Sequence, residues 1–282
     1  LAPTPIVLKS GLLRIFFASC DEKMIGRINW VDVDPADPTR VRGKAEAPAL
    51  DAGARGCFDE NGVNVTSIVR VGDALWMYYF GYQLGVNVRY TLFSGLAISE
   101  DEGVSFTRRS QTPILDRCDG ERYVRSAPCV VRANDKFQMW YVSGDEFIAI
   151  PGKEVPKYGL RYLESSDGIT WCGAGQPVMD PGGPDEYGLG RPFVVPGSGE
   201  YRMWLSSRTI SKWYRVGGAI STDGLEWRRR DAEMGLDVSP SGWDSEIVCY
   251  AAVCDVANAT LMFYNGNDYG RTGFGVAVWR AG

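Results

Sequence analysis

The 282-residue chain contains no histidine. A Ser-His-Asp triad, a Cys-His pair and a histidine-ligated zinc are therefore excluded within it. Any catalysis falls to carboxylates, Tyr, Lys, Arg or Cys. No apolar run approaches the ~18 residues that a membrane-spanning helix needs. There is no basic tract, and with a net charge of −5 nucleic acid is not an expected partner. The seven cysteines are odd in number, scattered, and form no C-x-x-C pair. They read as reduced thiols of a cytoplasmic protein rather than as a disulfide framework. No Asp/Asn/Gly calcium loop is present, and no helical pattern follows Gly273-x-Gly275, so no metal, phosphate loop or cofactor is expected. The chain starts at Leu1 rather than Met, which leaves a targeting segment unjudged.

What the chain does have is aromatics, at 12%, including nine Trp and fourteen Tyr, with 34 Gly and 15 Pro punctuating it throughout. The aromatics are not scattered at random. A strand-like pattern centred on Met recurs in "ALWMYYFGY" (Met77), "FQMWYVSGD" (Met139), "YRMWLSSRT" (Met203) and "TLMFYNGND" (Met262), and "LLRIFFASC" fits the frame with Ile15. The intervals are 62, 62, 64 and 59 residues. A second signature follows three of these: "AISEDEGVSFTRR", "LESSDGITWCG" and "AISTDGLEWRRR". Each reads as a strand, a tight Asp/Glu-Gly turn whose glycine accepts positive φ, and a strand opened by Phe106, Trp171 or Trp227. With an apolar strand such as "APCVVRA" ahead of each Met, a unit supplies about four strands. Repeated four-stranded units are the blades of a propeller. The expectation is one all-β domain, a five-bladed β-propeller over 1–282. Its four-stranded antiparallel blades lie near 1–50, 51–115, 116–180, 181–240 and 241–282. An insertion at Asp145–Lys157 lengthens the third. The fifth ends at "FGVAVWRAG" without an Asp-Gly hairpin, and so lacks its outer strand or takes it from upstream of Leu1.

Inner strands of a propeller converge on its channel, and residues just before them crowd the mouth. Eighteen residues before each Met stands an acid: Asp59, Glu121, Asp185 and Asp244, with Glu60, Glu186 and Glu246 close by. Solvated loops are the bland reading. The shared register instead points to a ligand-binding mouth, where clustered carboxylates can split into a protonated acid and an ionised base. Asp59, Glu186, Asp244 and Glu246 are the catalytic candidates. Glu60, Asn64, Arg125, Arg191, Arg208, Trp243, Asn265 and Asn267 are the substrate-binding ones. The arginines suit a carboxylate, phosphate or nucleotide on the ligand, or simply pair with neighbouring acids.

The repeats "MWY" and "S-x-DG-x-x-W", with an acid ahead of each inner strand, resemble the five-bladed propeller glycosidases. These are glycoside hydrolase families 32, 43, 62, 68 and 130 and relatives linked to bacterial surface polysaccharide biosynthesis. The resemblance implies the scaffold, a sugar-type ligand and three carboxylates on successive blades: a base or nucleophile, a supporting Asp and a general-acid Glu. Two departures stand out. The first-blade acid would fall before Leu1, and "RSAPCV" lacks the Asp that many relatives carry there. On this mapping Glu246 is the general acid and Asp59 the base or electrostatic support.

Three functions follow. One is a carbohydrate-active enzyme cutting a glycosidic or activated-sugar bond with carboxylates at the channel mouth. The second is a sugar phosphorylase, or an enzyme holding an anionic sugar or sugar nucleotide through Arg125, Arg191 or Arg208. The third is a non-catalytic glycan-binding or assembly module with platforms such as Tyr123, Tyr187 and Trp243. The oligomeric state is left open.

Overall fold

A computed structural model describes residues 2–133, 135–256 and 259–279. The chain runs as consecutive antiparallel meanders. The first comprises β1 (Thr4–Val7), β2 (Leu13–Cys20), β3 (Gly26–Asp34) and β4 (Asp37–Lys44). The second comprises β5 (Val63–Val71), β6 (Ala74–Leu84), β7 (Tyr90–Ser99) and β8 (Thr107–Arg108). In the third are β9 (Val124–Ala133), β10 (Lys136–Ile150), β11 (Lys153–Ser165) and β12 (Gln176–Met179). The fourth holds β13 (Glu186–Pro196), β14 (Tyr201–Thr209), β15 (Trp213–Ser221) and β16 (Arg228–Arg229). The last holds β17 (Cys249–Val256), β18 (Ala259–Asn265) and β19 (Phe274–Trp279). Parallel bridges from β7 to β9 and from β11 to β13 merge the middle three meanders into one curled sheet.

The Met-centred pattern is the second strand of every meander, and its central residue is buried core in four of the five and partly buried at Met262. Ile15, Met77, Met139 and Met203 are buried on both sides by neighbouring meanders, because sheets stack face to face through such residues. Phe16 and Met77 share one cluster, and Tyr78 and Met139 the next. Another joins Trp140 to Met203, and Trp204 packs with Val253 and Tyr264. Leu261 and Phe263 of the last meander then pack on Leu13 and Ile15 of the first, so the packing closes on itself.

The Asp-Gly turns fasten neighbours together. Gly103, Gly168 and Gly224 take positive φ (83°, 72° and 78°), which fits a hairpin turn. The residue after the central Met reaches the next meander's turn. Tyr78 Oη donates to Gly168 O (3.0 Å) and Trp140 Nε1 to Gly224 O (2.7 Å), while Phe16 meets Phe106 edge-on. Within two of the turns the Asp carboxylate is locally tethered. Thr170 and Ile169 N–H groups hold the Asp167 carboxyl well below its usual value near 3.8, and those of Glu226 and Leu225 lower Asp223. A lowered folded-state value contributes stability that is present above the unfolded value and lost as pH falls through the folded one. The melting temperature is therefore expected to hold level down to about pH 5 and to fall progressively below about pH 4. An Asp167→Asn variant measured by calorimetry is expected to melt lower at pH 7, with the gap to wild type narrowing steadily as pH falls below about 4.

Three features of the strands bear on these expectations. The insertion at 145–157 takes the form of a long hairpin, in which β10 and β11 pair out to Ile150↔Lys153. The third and fourth inner strands begin at Val124 and Glu186, ahead of Pro128 and Pro192, so Arg125 and Arg191 lie inside them. Among the described residues no fourth strand pairs with β19, whose Val278 and Trp279 are exposed. No helix of the described residues is long and apolar enough to cross a membrane.

Candidate ligand cavity

The in-register acids occupy a recurring buried position within the meanders. Asp59 accepts from Tyr79 Oη (3.1 Å) and Arg108 Nε (2.8 Å). Glu121 accepts from Tyr141 Oη (2.7 Å), Arg125 Nε (3.1 Å) and Gly175 N (2.9 Å). In the fourth meander Glu186 takes the place, with Ser207 Oγ and Arg229 (3.2 Å) as donors. Asp244 accepts from Tyr264 Oη (2.8 Å). Each hydroxyl comes from the second strand, 20 or 21 residues after its acid. Asp59, Glu121 and Asp244 are buried to 5% exposure or less. Carboxyl groups this deep need charged or hydrogen-bonded partners, and the repeat supplies them, although Asp59 Oδ1 is left buried without one. Arg108 and Arg229 arrive from β8 and β16, the fourth strands. Asp244, in the meander that shows no fourth strand, pairs with no arginine among the described residues. Asp185, the acid in strict register, is exposed and binds Ser211 N (2.9 Å) and Oγ (2.6 Å).

A different register faces the large cavity, of about 2570 Å³. It is lined by Asn64, Ser126 and Gly190, each thirteen residues before its Met, and by Ala127, Arg191 and Tyr250, each twelve before. All lie where the inner strands bulge: the pairing register skips at Val65/Ser67, Trp140/Val142, Gly190/Phe193 and Cys249/Ala252. Ala127, Arg191 and Tyr250 hold left-handed backbone there (φ 50°, 43° and 57°). Each such non-glycine residue costs about 1–2 kcal/mol, and a bulge next to a site re-aims its side chains. Bonds between neighbouring meanders brace the bulges. Thr66 Oγ1 donates to Pro128 O (2.8 Å), and Ser206 Oγ accepts from Tyr250 N (2.8 Å).

Arg191 laces three inner strands. Nη1 donates to Tyr250 O and Ala251 O, and Nη2 to Pro3 O and Thr4 Oγ1, all at 2.7 Å. Burial pushes its pKa down to about 10, which leaves it charged at neutral pH.

Seven tyrosines line the cavity among aliphatic and polar residues, Tyr123 being one of them. Tyr82, Tyr90, Tyr158, Tyr214, Tyr250 and Tyr269 are the others. Tyr90 and Tyr158 share a hydroxyl hydrogen bond (3.1 Å), and Tyr214 lies edge-on to Tyr250 and Tyr269. Asn64 Oδ1 is buried without a protein partner. Trp243, 40% exposed, stacks on Tyr264 at 5.3 Å between two glycines, because a Cβ at Gly275 or Gly266 would come within 2.4 Å of it. The cavity's carboxylates are Asp21, Glu154 and Asp268. The Arg27 guanidinium holds the Asp21 carboxyl below its usual range, unsuited to donating a proton.

Of the residues singled out in the sequence, Asn64, Tyr123, Arg191, Arg208 and Trp243 line this cavity. Asp59, Glu186, Asp244 and Arg125 sit within the meanders. Glu60 accepts from Gly56 N (2.8 Å). Asn265 is fully buried on β18. Asn267 ties the 242–247 loop, its Oδ1 accepting from Glu246 N (2.8 Å) and its Nδ2 donating to Gly242 O (3.1 Å). Glu246 is exposed and does not line the cavity. Glu246→Gln is expected to change stability by less than about 0.5 kcal/mol and to leave ligand affinity unchanged; a tenfold loss of affinity in titration calorimetry would contradict this placement. Tyr82, Tyr90, Tyr158, Tyr214 and Tyr250 were missed. Tyr82 and Arg208 both stand five residues after their central Met, a signal present in the repeat. Among the described residues no cluster of three or more His, Cys, Asp or Glu side chains could hold a metal ion.

The chain has the fold of the β-propeller glycosidases and phosphorylases. A solved glycoside hydrolase aligns over 100% of this chain and 90% of its own, with TM-score 0.78 and 17% identity. A thermostable family-43 glycoside hydrolase aligns over 99% and 88%, with TM-score 0.72 and 16% identity. The β-1,2-mannobiose phosphorylase of Listeria innocua aligns over 91% and 67%, with TM-score 0.67 and 12% identity. Within this fold the chain belongs to the family of the uncharacterized protein Rv1502 of Mycobacterium tuberculosis, with 37% identity over 276 residues, 98% of this chain and 91% of that protein. No protein-family model matches it.

Proposed function

We propose that this chain is a carbohydrate-active protein, a single five-bladed β-propeller that seats a sugar in the cavity where its inner strands bulge. The observation that carries the reading is the composition of that wall: tyrosine rings and hydroxyls, the exposed Trp243 face and the unpartnered Asn64 amide oxygen. Flat aromatic faces match the C–H faces of sugar rings, and fixed polar groups match ring hydroxyls. The solved propeller neighbours, which include glycoside hydrolases and a phosphorylase, support a sugar-type ligand by analogy of fold.

The same geometry favours sugar recognition over hydrolysis by Asp59, Glu186, Asp244 and Glu246. A glycosidase needs two carboxylates facing each other across the bond, about 5–10 Å apart. Three of these four are held by tyrosine, serine or arginine donors inside the meanders and do not line the cavity, and the fourth is exposed off it. The first test is a titration of neutral and acidic oligosaccharides. A sugar that binds is expected to lose about tenfold in affinity in Trp243→Ala, the worth of one aromatic face. Undiminished binding in that variant would remove Trp243 from the site, and failure of every sugar to bind would remove the reading.

A further inference from the structure

Arg208, at the end of β14, differs from the other buried arginines. Arg14 is matched by Asp32 through two bonds of 2.7 Å, Arg125 by Glu121, and Arg191 by four carbonyl and hydroxyl oxygens. Arg208 is only 8% exposed, yet it pairs with no carboxylate among the described residues. Its Nη1 makes one long bond to Pro156 O (3.3 Å), and its Nε is buried with no partner at all. Instead, its guanidinium carbon lies 4.6 Å from the Tyr158 ring centre, 4.7 Å from Tyr187 and 5.6 Å from Tyr214. Gly188 leaves it room, since a Cβ there would stand 3.1 Å from Arg208 Cδ.

An arginine this buried without a counter-ion is costly. Cation–π contacts offset part of the cost without consuming N–H donors. The Nε–Nη2 edge is the one that grips two oxygens of a carboxylate or phosphoryl group in parallel. Arg208 lines the ligand cavity alongside Tyr158 and Tyr214.

From this we infer that Arg208 is the seat for an anionic group, carboxylate or phosphoryl, carried by the sugar that occupies the cavity. The inference rests on the sugar reading above and narrows it to acidic or phosphorylated sugars. The tyrosine rings fix the guanidinium plane, and the hydroxyls of Tyr90 and Tyr158 flank the sugar.

The test is titration calorimetry on the purified chain with four probes: a neutral hexose, the corresponding hexuronate, the hexose 1-phosphate and inorganic phosphate. Wild type is expected to bind the better of the two anionic sugars at least tenfold more tightly than the neutral one. Arg208→Gln is expected to erase that preference, and Arg208→Lys, which keeps the charge without the fork, to restore only part of it. Thermal melts of both variants show whether they fold. The wild-type comparison stands without them. A tighter hexuronate identifies a carboxylate ligand, and a tighter hexose 1-phosphate a phosphoryl one. Phosphate binding that Arg208→Gln abolishes, with no sugar bound, would uphold the anion seat while removing the sugar reading. Equal affinity for neutral and anionic sugars, retention of the preference in Arg208→Gln, or binding of no probe would overturn the inference.

Discussion

Glu121→Gln is expected to lower the melting temperature by roughly 10 °C. Breaking a buried ion pair from one side costs about 3–5 kcal/mol, because the other charge is left in place. For a chain of this size each kcal/mol moves the transition by about 2–4 °C. Here the orphan would be Arg125, 3% exposed, which would keep its bonds to Asp116 O (2.6 Å), Gly173 O (2.8 Å) and Tyr141 Oη (3.2 Å) but lose its counter-ion. The Gly175 N–H would exchange a carboxylate oxygen for an amide that also presents an unmatched NH₂. Asp244→Asn is the control. That acid holds a tyrosine hydroxyl and no arginine, so the asparagine oxygen can replace it, and the expected loss is about 1 kcal/mol. Calorimetry of the two variants decides the point. Equal effects would mean that the arginine pairing, and not only the burial, had been misjudged.

The second large effect is expected at Arg191. Its side chain joins β1, β13 and β17, the closure between the last meanders and the first. Arg191→Met removes four donors at once. Oxygens stranded in the interior cost about 1–3 kcal/mol each when fully unpaired. Relief of the arginine's own desolvation, seen in its lowered pKa, returns part of this. A net loss near 4 kcal/mol is the expectation. It should be local as well as global, because hydrogen exchange at Thr4–Val7 and Cys249–Val256 should quicken more than in β6 or β10. Unchanged exchange in those strands would show that hydrophobic packing of Leu13 and Ile15 on Leu261 and Phe263 closes the ring unaided.

Much of this architecture was legible in the sequence because burial imposes a period on it. A residue packed between two sheets at every repeat must be large, apolar and flanked by aromatics, so the frame around Ile15, Met77, Met139, Met203 and Met262 stood out. The turns at Gly103, Gly168 and Gly224 were legible because positive φ selects the residue. The acids were legible as a register but not as a place. A carboxylate five residues before a bulge and one at the bulge look alike in a string, and the pleat decides which of them faces the cavity. The bulges leave no mark beyond Pro128 and Pro192. The Arg208 basket was illegible for a simpler reason: Tyr158, Tyr187, Tyr214 and Arg208 come from β11, β13, β15 and β14, and only the folded register brings them together. Trp243 was found by its neighbours, but its slot depends on Gly266 and Gly275, more than twenty residues away.

The central claim is that the ligand sits among the tyrosines and Arg208, and not against the in-register acids. A crystal of the chain soaked with the tightest-binding sugar from the calorimetry tests it in one measurement. The account predicts ring density between Trp243 and the Tyr158–Tyr214 wall, with the sugar's anionic oxygens at the Arg208 fork. Density lodged instead against Asp59, Glu186 or Glu246, with those carboxylates swung out of their tyrosine and arginine bonds, would contradict it.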